Sequence, residues 1–192
     1  MTKERATAAS VAGDDRVRLF CALQLGDDTL KCLTDWQAAA LSAGRIVPRE
    51  NLHITLAFLG HRAAAECEPI AQELRAAAAR AGEIDLSVRG YRETRSVGMV
   101  TLDDGGRAAT RLADDVQARL EALGVYRREA RQWLPHVTVA RSRGRGQERA
   151  GLRPEPPNTC SINVVRAALY RSFLGSGGAR YEVLATAVLG GR

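Results

Sequence analysis

The pattern His-x-Thr-x with aliphatic x occurs twice, at His53-Ile54-Thr55-Leu56 and at His136-Val137-Thr138-Val139. In a strand, successive side chains point to opposite faces. Each copy therefore predicts a strand with an imidazole and a hydroxyl on one face and two aliphatic side chains in a core. The chain holds 3 histidines, and two of them sit in this setting. The repetition predicts a duplicated α+β unit that sets His53 and His136 across a cleft.

The rest of the chain fits that frame. Residues 1–15 are small and polar and read as a mobile tail, with a single domain of two lobes over residues 16–192. Residues 17–23 read as a strand. A helix capped by Asp27 or Asp28 runs to about Ser42, with Leu30, Leu33, Trp36, Ala40 and Leu41 as its apolar stripe and Gly44 as its stop. Gly60 closes the first motif strand, which puts His61 in a solvated turn. Residues 62–81 read as a helix with Ile70 and Leu74 inward. Strands follow over 83–91 and 96–102, then a helix over 107–123 with Leu112, Val116, Leu120 and Leu123 on one face, stopped by Gly124. Past the second motif, residues 142–158 read as a surface loop carrying Arg143, Arg145, Arg149 and Arg153, a patch suited to backbone phosphate. Two last strands, 161–173 and 181–189, form a hairpin across Gly175-Ser176-Gly177-Gly178.

Composition narrows the function classes. A hydrophobic fraction of 45% supports a sizeable core, and a formal net charge of +6 suits polyanions such as RNA. No apolar run is long enough to cross a membrane, and the N-terminus lacks a secretory core, so a cytoplasmic protein is expected. Cys21, Cys32, Cys67 and Cys160 form no C-x-x-C pair, which predicts free thiols and no metal site. The motifs H-E-x-x-H, Gly-x-Ser-x-Gly and a Walker loop are absent, which argues against those hydrolase classes.

Two imidazoles across a cleft can act as acid and base near neutral pH. That suits displacement at phosphorus, where a nucleophile loses a proton and a leaving oxygen gains one. The threonine hydroxyls can hold phosphate oxygens, and an arginine can add charge-assisted contacts. No metal or other cofactor is required.

The motifs in their longer setting resemble the two-histidine (2H) phosphoesterase superfamily. They are Glu50-Asn51-Leu52-His53-Ile54-Thr55-Leu56-Ala57-Phe58-Leu59-Gly60 and Pro135-His136-Val137-Thr138-Val139-Ala140-Arg141. With Arg18-Leu19-Phe20, Leu169-Tyr170-x-Ser172 and Tyr181, they are similar to its bacterial RNA 2′,3′-cyclic phosphodiesterase branch, also called the 2′-5′ RNA ligase family. The resemblance implies a LigT-like fold: two antiparallel sheets flanked by helices around a central cleft. It implies hydrolysis of a terminal 2′,3′-cyclic phosphate to a 2′-phosphate, with 2′-5′ ligation in reverse, acting on RNA 3′ ends or nucleotides with that group.

Carried over by position, His53 is the proton donor and His136 the acceptor, and Thr55, Thr138 and Arg141 bind phosphate. Strict alternation points Arg141 away from His136, so Arg141 must lie where the strand ends or bends, or reach round the rim. The middle strands lack the family's Trp, which leaves Phe58, Tyr91 and Trp133 as candidates for stacking a base. Alternation puts Phe58 on the face of Ile54 and Leu56, which predicts a core role instead. The rival functions are a 2H phosphoesterase for a small cyclic nucleotide or ADP-ribose cyclic phosphate, and a non-catalytic RNA-end binding module. The expected oligomeric state is monomer.

Overall fold

The structure, a computed structural model, describes residues 16–41, 44–141, 154–175 and 178–190. The expected N-terminal tail and the arginines at 143, 145, 149 and 153 lie outside these residues.

The chain runs β1 (Arg16–Leu25), α1 (Asp27–Ala40), β2 (Arg45–Ile46), β3 (His53–Ala63), α2 (Cys67–Ala79), β4 (Ser87–Glu93), β5 (Val97–Asp103), α3 (Ala108–Ala122), β6 (His136–Arg141), β7 (Val164–Gly175) and β8 (Gly178–Val188). The strands lie in the order β4-β5-β6-β3-β1-β7-β8, with β2 on β6. All pairs are antiparallel. β3 and β6, the two motif strands, meet at Ile54↔Val137 alone. Two antiparallel sheets, β4-β5-β6 and β3-β1-β7-β8, thus join at one ladder position between the motifs. This is the α+β architecture that the sequence reading expects.

One face of the strands is covered by helices. Leu19, Leu23, Ile54, Leu56, Val137 and Leu169 share a single core with Leu33 of α1, Leu74 of α2 and Leu120 of α3. Burying each such side chain contributes about 1.5–3 kcal/mol. The alternation of β1 explains the division of faces. Leu19, Cys21 and Leu23 enter this core, whereas Phe20 and Ala22 form a separate small cluster with Ala168 and Tyr170 on the opposite face. That second face carries the site.

Several local expectations change. Gly26, not an aspartate, is the N-cap residue of α1, and Asp27 and Asp28 occupy its first turn, where acidic groups favour the helix dipole. β3 continues through Gly60 to Ala63, so His61 is an exposed strand residue rather than part of a turn. Gly60 adopts φ 69°, which lets the strand bulge and go on instead of stopping. Leu123 lies past α3 and is exposed.

The cysteine expectation is overturned. Cys32 of α1 and Cys160 are joined by a disulfide across a sequence separation of 128. Only Cys21 and Cys67 are free thiols. The bond clamps α1 to the segment that leads into β7. Thr29 supports the same junction: its hydroxyl donates to the Ser161 carbonyl at 2.8 Å, and its Oγ1 accepts the Asn163 amide at 2.8 Å. Short-spacing rules detect local cysteine pairs and have no access to a pair brought together by folding. None of the helices in the described residues is long and apolar enough to cross a membrane.

Candidate active site

The pairing of Ile54 with Val137 sets the geometry. Continuing this register by one residue in each direction puts His53 opposite Thr138 and Thr55 opposite His136. The two histidines then lie on one diagonal and the two threonines on the other, all on the face away from the helices.

Both imidazoles are held in the same way. His53 Nδ1 lies 2.8 Å from the Asn51 carbonyl, and His136 Nδ1 lies 2.8 Å from the Leu134 carbonyl. A carbonyl oxygen only accepts, so Nδ1 carries the proton and donates in each ring. This leaves each Nε2 for chemistry. His53 Nε2 is 3.2 Å from Thr55 Oγ1; as the unprotonated nitrogen of a neutral ring, it accepts the threonine hydroxyl.

Each motif strand carries a bulge just past its threonine. In β3 the pairs Ala22↔Thr55 and Cys21↔Ala57 leave Leu56 without a partner on β1. Leu56 and Ala57 are both buried, so the alternation reverses beyond them. Phe58 therefore faces the cleft, paired with Phe20 and 46% exposed. The core role expected for Phe58 is corrected by this one extra residue. The Arg18 guanidinium lies 4.4 Å from the centre of the Phe58 ring and donates to Ser172 Oγ at 3.1 Å.

In β6 the pairs Met99↔Thr138 and Gly98↔Ala140 leave Val139 without a partner on β5. Val139 and Ala140 are both buried and Arg141 is exposed. The same reversal turns Arg141 to the cleft side, and its charge is close enough to oppose protonation of His53. Of a strand end, a bend and a reach round the rim, the structure shows a bulge at Val139.

Aromatic rings enclose His53. The Phe20 ring centre is 4.9 Å away at 33°, that of Tyr181 5.4 Å away edge-on at 78°, and that of Tyr170 6.0 Å away. Burial in this cage pushes the His53 pKa down to about 4, against the pull of the Asn51 carbonyl; the charges of His136 and Arg141 add to the fall. His53 is therefore neutral in the resting protein at pH 7. Phe20 is absent from the candidates drawn from the sequence, although strand parity alone sets it on the face opposite Leu19. Beside the cage, a cavity of about 340 Å³ is lined by Gln24, Arg49, Arg166 and Tyr170 among others. Gln24 pairs with His53 in the β1–β3 ladder, and its amide donates to the Tyr170 hydroxyl at 2.9 Å.

Two stacking candidates are not brought to the histidines as open platforms. Tyr91 lies on the helix side, its ring 5.7 Å from that of Trp36, with its hydroxyl donating to Glu93 at 2.9 Å. Trp133 is half-buried and donates Nε1–H to the Thr55 carbonyl at 2.9 Å, which ties the approach to β6 onto β3. Among the described residues, no group of three or more His, Cys, Asp or Glu side chains is placed to hold a metal ion.

The chain and its fold are similar to known proteins. The chain is 29% identical over 186 residues to the RNA 2′,3′-cyclic phosphodiesterase of Escherichia coli (strain K12), covering 87% of this chain and 93% of that protein. Its structure matches that of E. coli LigT complexed with 3′-AMP, with a TM-score of 0.72, 26% identity and coverage of 91% and 98% of the two chains. It also matches TT0787 of Thermus thermophilus, with a TM-score of 0.71, 26% identity and coverage of 91% and 99%. The family model of the 2′-5′ RNA ligase superfamily matches residues 27–171. That span includes both motif strands and the seam between them, and the chain belongs to the 2′-5′ RNA ligase superfamily.

Proposed function

We propose that the chain hydrolyses a terminal 2′,3′-cyclic phosphate on RNA to a 2′-phosphate by metal-independent two-histidine acid–base catalysis. The observation that carries this reading is the shared anchoring of His53 and His136, each through Nδ1 to a backbone carbonyl, on one face beside Thr55 and Thr138. The E. coli relative named for this reaction and the match to LigT bound to 3′-AMP support the substrate class.

In the reaction, water attacks phosphorus and gives its proton to one Nε2. The bond from phosphorus to O3′ breaks, and that oxygen takes a proton from the other Nε2. The threonine hydroxyls donate to the non-bridging oxygens, and Arg141 offsets their growing charge. Phe58, with Arg18 over its ring, can stack the terminal base. A ribose 5′-hydroxyl in place of water gives a 2′-5′ linkage. The protein works as a monomer, with residues 16–192 as one domain. The reading places it in the cytoplasm, where the reducing pool acts on Cys32–Cys160.

The sequence reading makes His53 the donor and His136 the acceptor. The depressed pKa of His53 favours the reverse, because a neutral ring accepts a proton before it can give one. A substrate with sulfur at the 3′ bridging position separates the two, since a thiolate leaves without a proton. Rescue of His53→Ala on it establishes His53 as donor, and rescue of His136→Ala establishes the reverse.

The test of the function is an oligonucleotide ending in a 2′,3′-cyclic phosphate, incubated with excess chelator. A 2′-phosphate product, lost in both histidine variants, is expected. Faster turnover of a cyclic mononucleotide would move the substrate to small nucleotides. RNA binding without turnover would make the chain a binding module.

A further inference from the structure

Both bulges are braced by a buried glutamine from a helix. Gln37 of α1 is 2% exposed, and its Nε2 donates to the Val139 carbonyl at 2.8 Å and the Val47 carbonyl at 3.0 Å. Gln117 of α3 is 6% exposed, and its Nε2 donates to the Leu56 carbonyl at 2.9 Å. The bulges leave Leu56 without a partner on β1 and Val139 without one on β5, where the Val139 carbonyl still accepts the Val47 amide at 3.0 Å. Leu56 and Val139 hold the same place in the two motifs, as the final x of His-x-Thr-x.

The chemistry explains why an amide stands there. A bulge takes a residue out of the ladder, and a buried carbonyl without a donor is costly. A glutamine inside an apolar core is equally costly unless its own groups are met. Gln117 gives the Leu56 carbonyl its donor, and Gln37 adds a second donor to the Val139 carbonyl while tying it to the Val47 carbonyl beside it. The helices also cross over. α1 follows β1 but braces β6, while α3 follows β5 but braces β3.

We propose that Gln37 and Gln117 are positioning residues for the reaction. Gln37 holds the Val139 bulge that turns Arg141 into the cleft and so acts on phosphate through Arg141. Gln117 holds the Leu56 bulge that turns Phe58 into the cleft and so acts on the base through Phe58. This inference rests on the proposed reaction for its kinetic readout.

The test replaces each glutamine by methionine, which nearly keeps the volume and removes the donor. Gln37→Met is made in the native and Arg141→Ala backgrounds, and Gln117→Met in the native and Phe58→Ala backgrounds. Misplacement of Arg141 lowers kcat/KM for the cyclic-phosphate oligonucleotide by about tenfold to a hundredfold. The same change costs almost nothing further once Arg141 is gone, because its route of action is already lost. Gln117→Met shows the same dependence on Phe58. Equal fold-losses in both backgrounds assign the glutamines to stability alone and overturn the proposal, as does failure of both variants to fold. Absence of turnover by the unaltered protein instead removes the proposed reaction. Crystal structures of the variants then decide the positioning role. Regular pairing through Val139 or Leu56, with Arg141 or Phe58 turned out of the cleft, supports it, and retained bulges overturn it.

Discussion

Phe58 and Arg141 occupy equivalent positions in the two motif strands. Each lies just beyond a bulge, at Leu56-Ala57 or Val139-Ala140, that reverses which face its strand presents. The duplicated geometry therefore puts an aromatic ring at one end of the cleft and a cation at the other. For Arg141→Ala, turnover of every cyclic phosphate is expected to fall about 10²- to 10³-fold, the usual cost of losing one donor to a developing charge. Arg141→Lys recovers only part, since an ammonium lacks the planar two-point contact. For Phe58→Ala, the expected loss is about 1–3 kcal/mol of binding to the oligonucleotide, with kcat largely kept. Steady-state kinetics on one oligonucleotide series reads all three, and an unchanged kcat/KM in Arg141→Ala would remove Arg141 from the site.

The His53 ring sets the pH response. In the free protein it takes up a proton near pH 4 rather than at its ordinary 6.5. The acid limb of kcat/KM is therefore expected near pH 4. Stability moves in the same sense. Between the two values the unfolded chain binds a proton that the folded chain refuses, so stability is complete above about 6.5 and declines as pH falls towards 4. Denaturant titrations of the unaltered protein and His53→Gln across this window isolate the contribution. An acid limb at 6.5 or above would show that the aromatic cage does not hold the ring neutral.

The cage itself is testable without turnover. Phe20→Ala opens the nearest ring contact and admits water, so the His53 pKa is expected to rise towards 6.5. Tyr91→Ala, on the helix side, is expected to leave it in place. Side-chain NMR titration of His53 reads both. Equal responses to the two changes would mean that overall loosening, not local solvation, controls the ring.

The disulfide predicts a thiol count. Of the 4 cysteines, only Cys21 and Cys67 are expected to alkylate when the protein is denatured without reductant. In the native state Cys67 reacts first, because burial pushes the Cys21 thiol up to about 12 and shields it. Cys32→Ser is expected to cost about 2–4 kcal/mol under oxidising conditions and nothing beyond a lost packing contact under reducing ones. Alkylation of all the cysteines without reductant would show that Cys32 and Cys160 are not bonded.

Much of the site was legible in the residues. His-x-Thr-x written twice determined that an imidazole and a hydroxyl share a face, because strand alternation is a local property of the backbone. The same local logic marked the helix that carries Leu33 and the one that carries Leu120. It also showed that plain alternation could not bring Arg141 to the cleft, without choosing between a strand end, a bend and a reach round the rim. Tertiary structure decided the rest. A bulge depends on which residue of a neighbouring strand finds a partner, so parity misplaced Phe58 while a partner on β1 determined its true face. The low pKa of His53 arises from rings on β1, β7 and β8 that converge only after the sheet curls. Cys32 and Cys160 meet for the same reason, across a separation that local spacing does not reach. Gln37 and Gln117 read as ordinary helix residues until the crossed helices bring each amide to the carbonyl of a bulge residue.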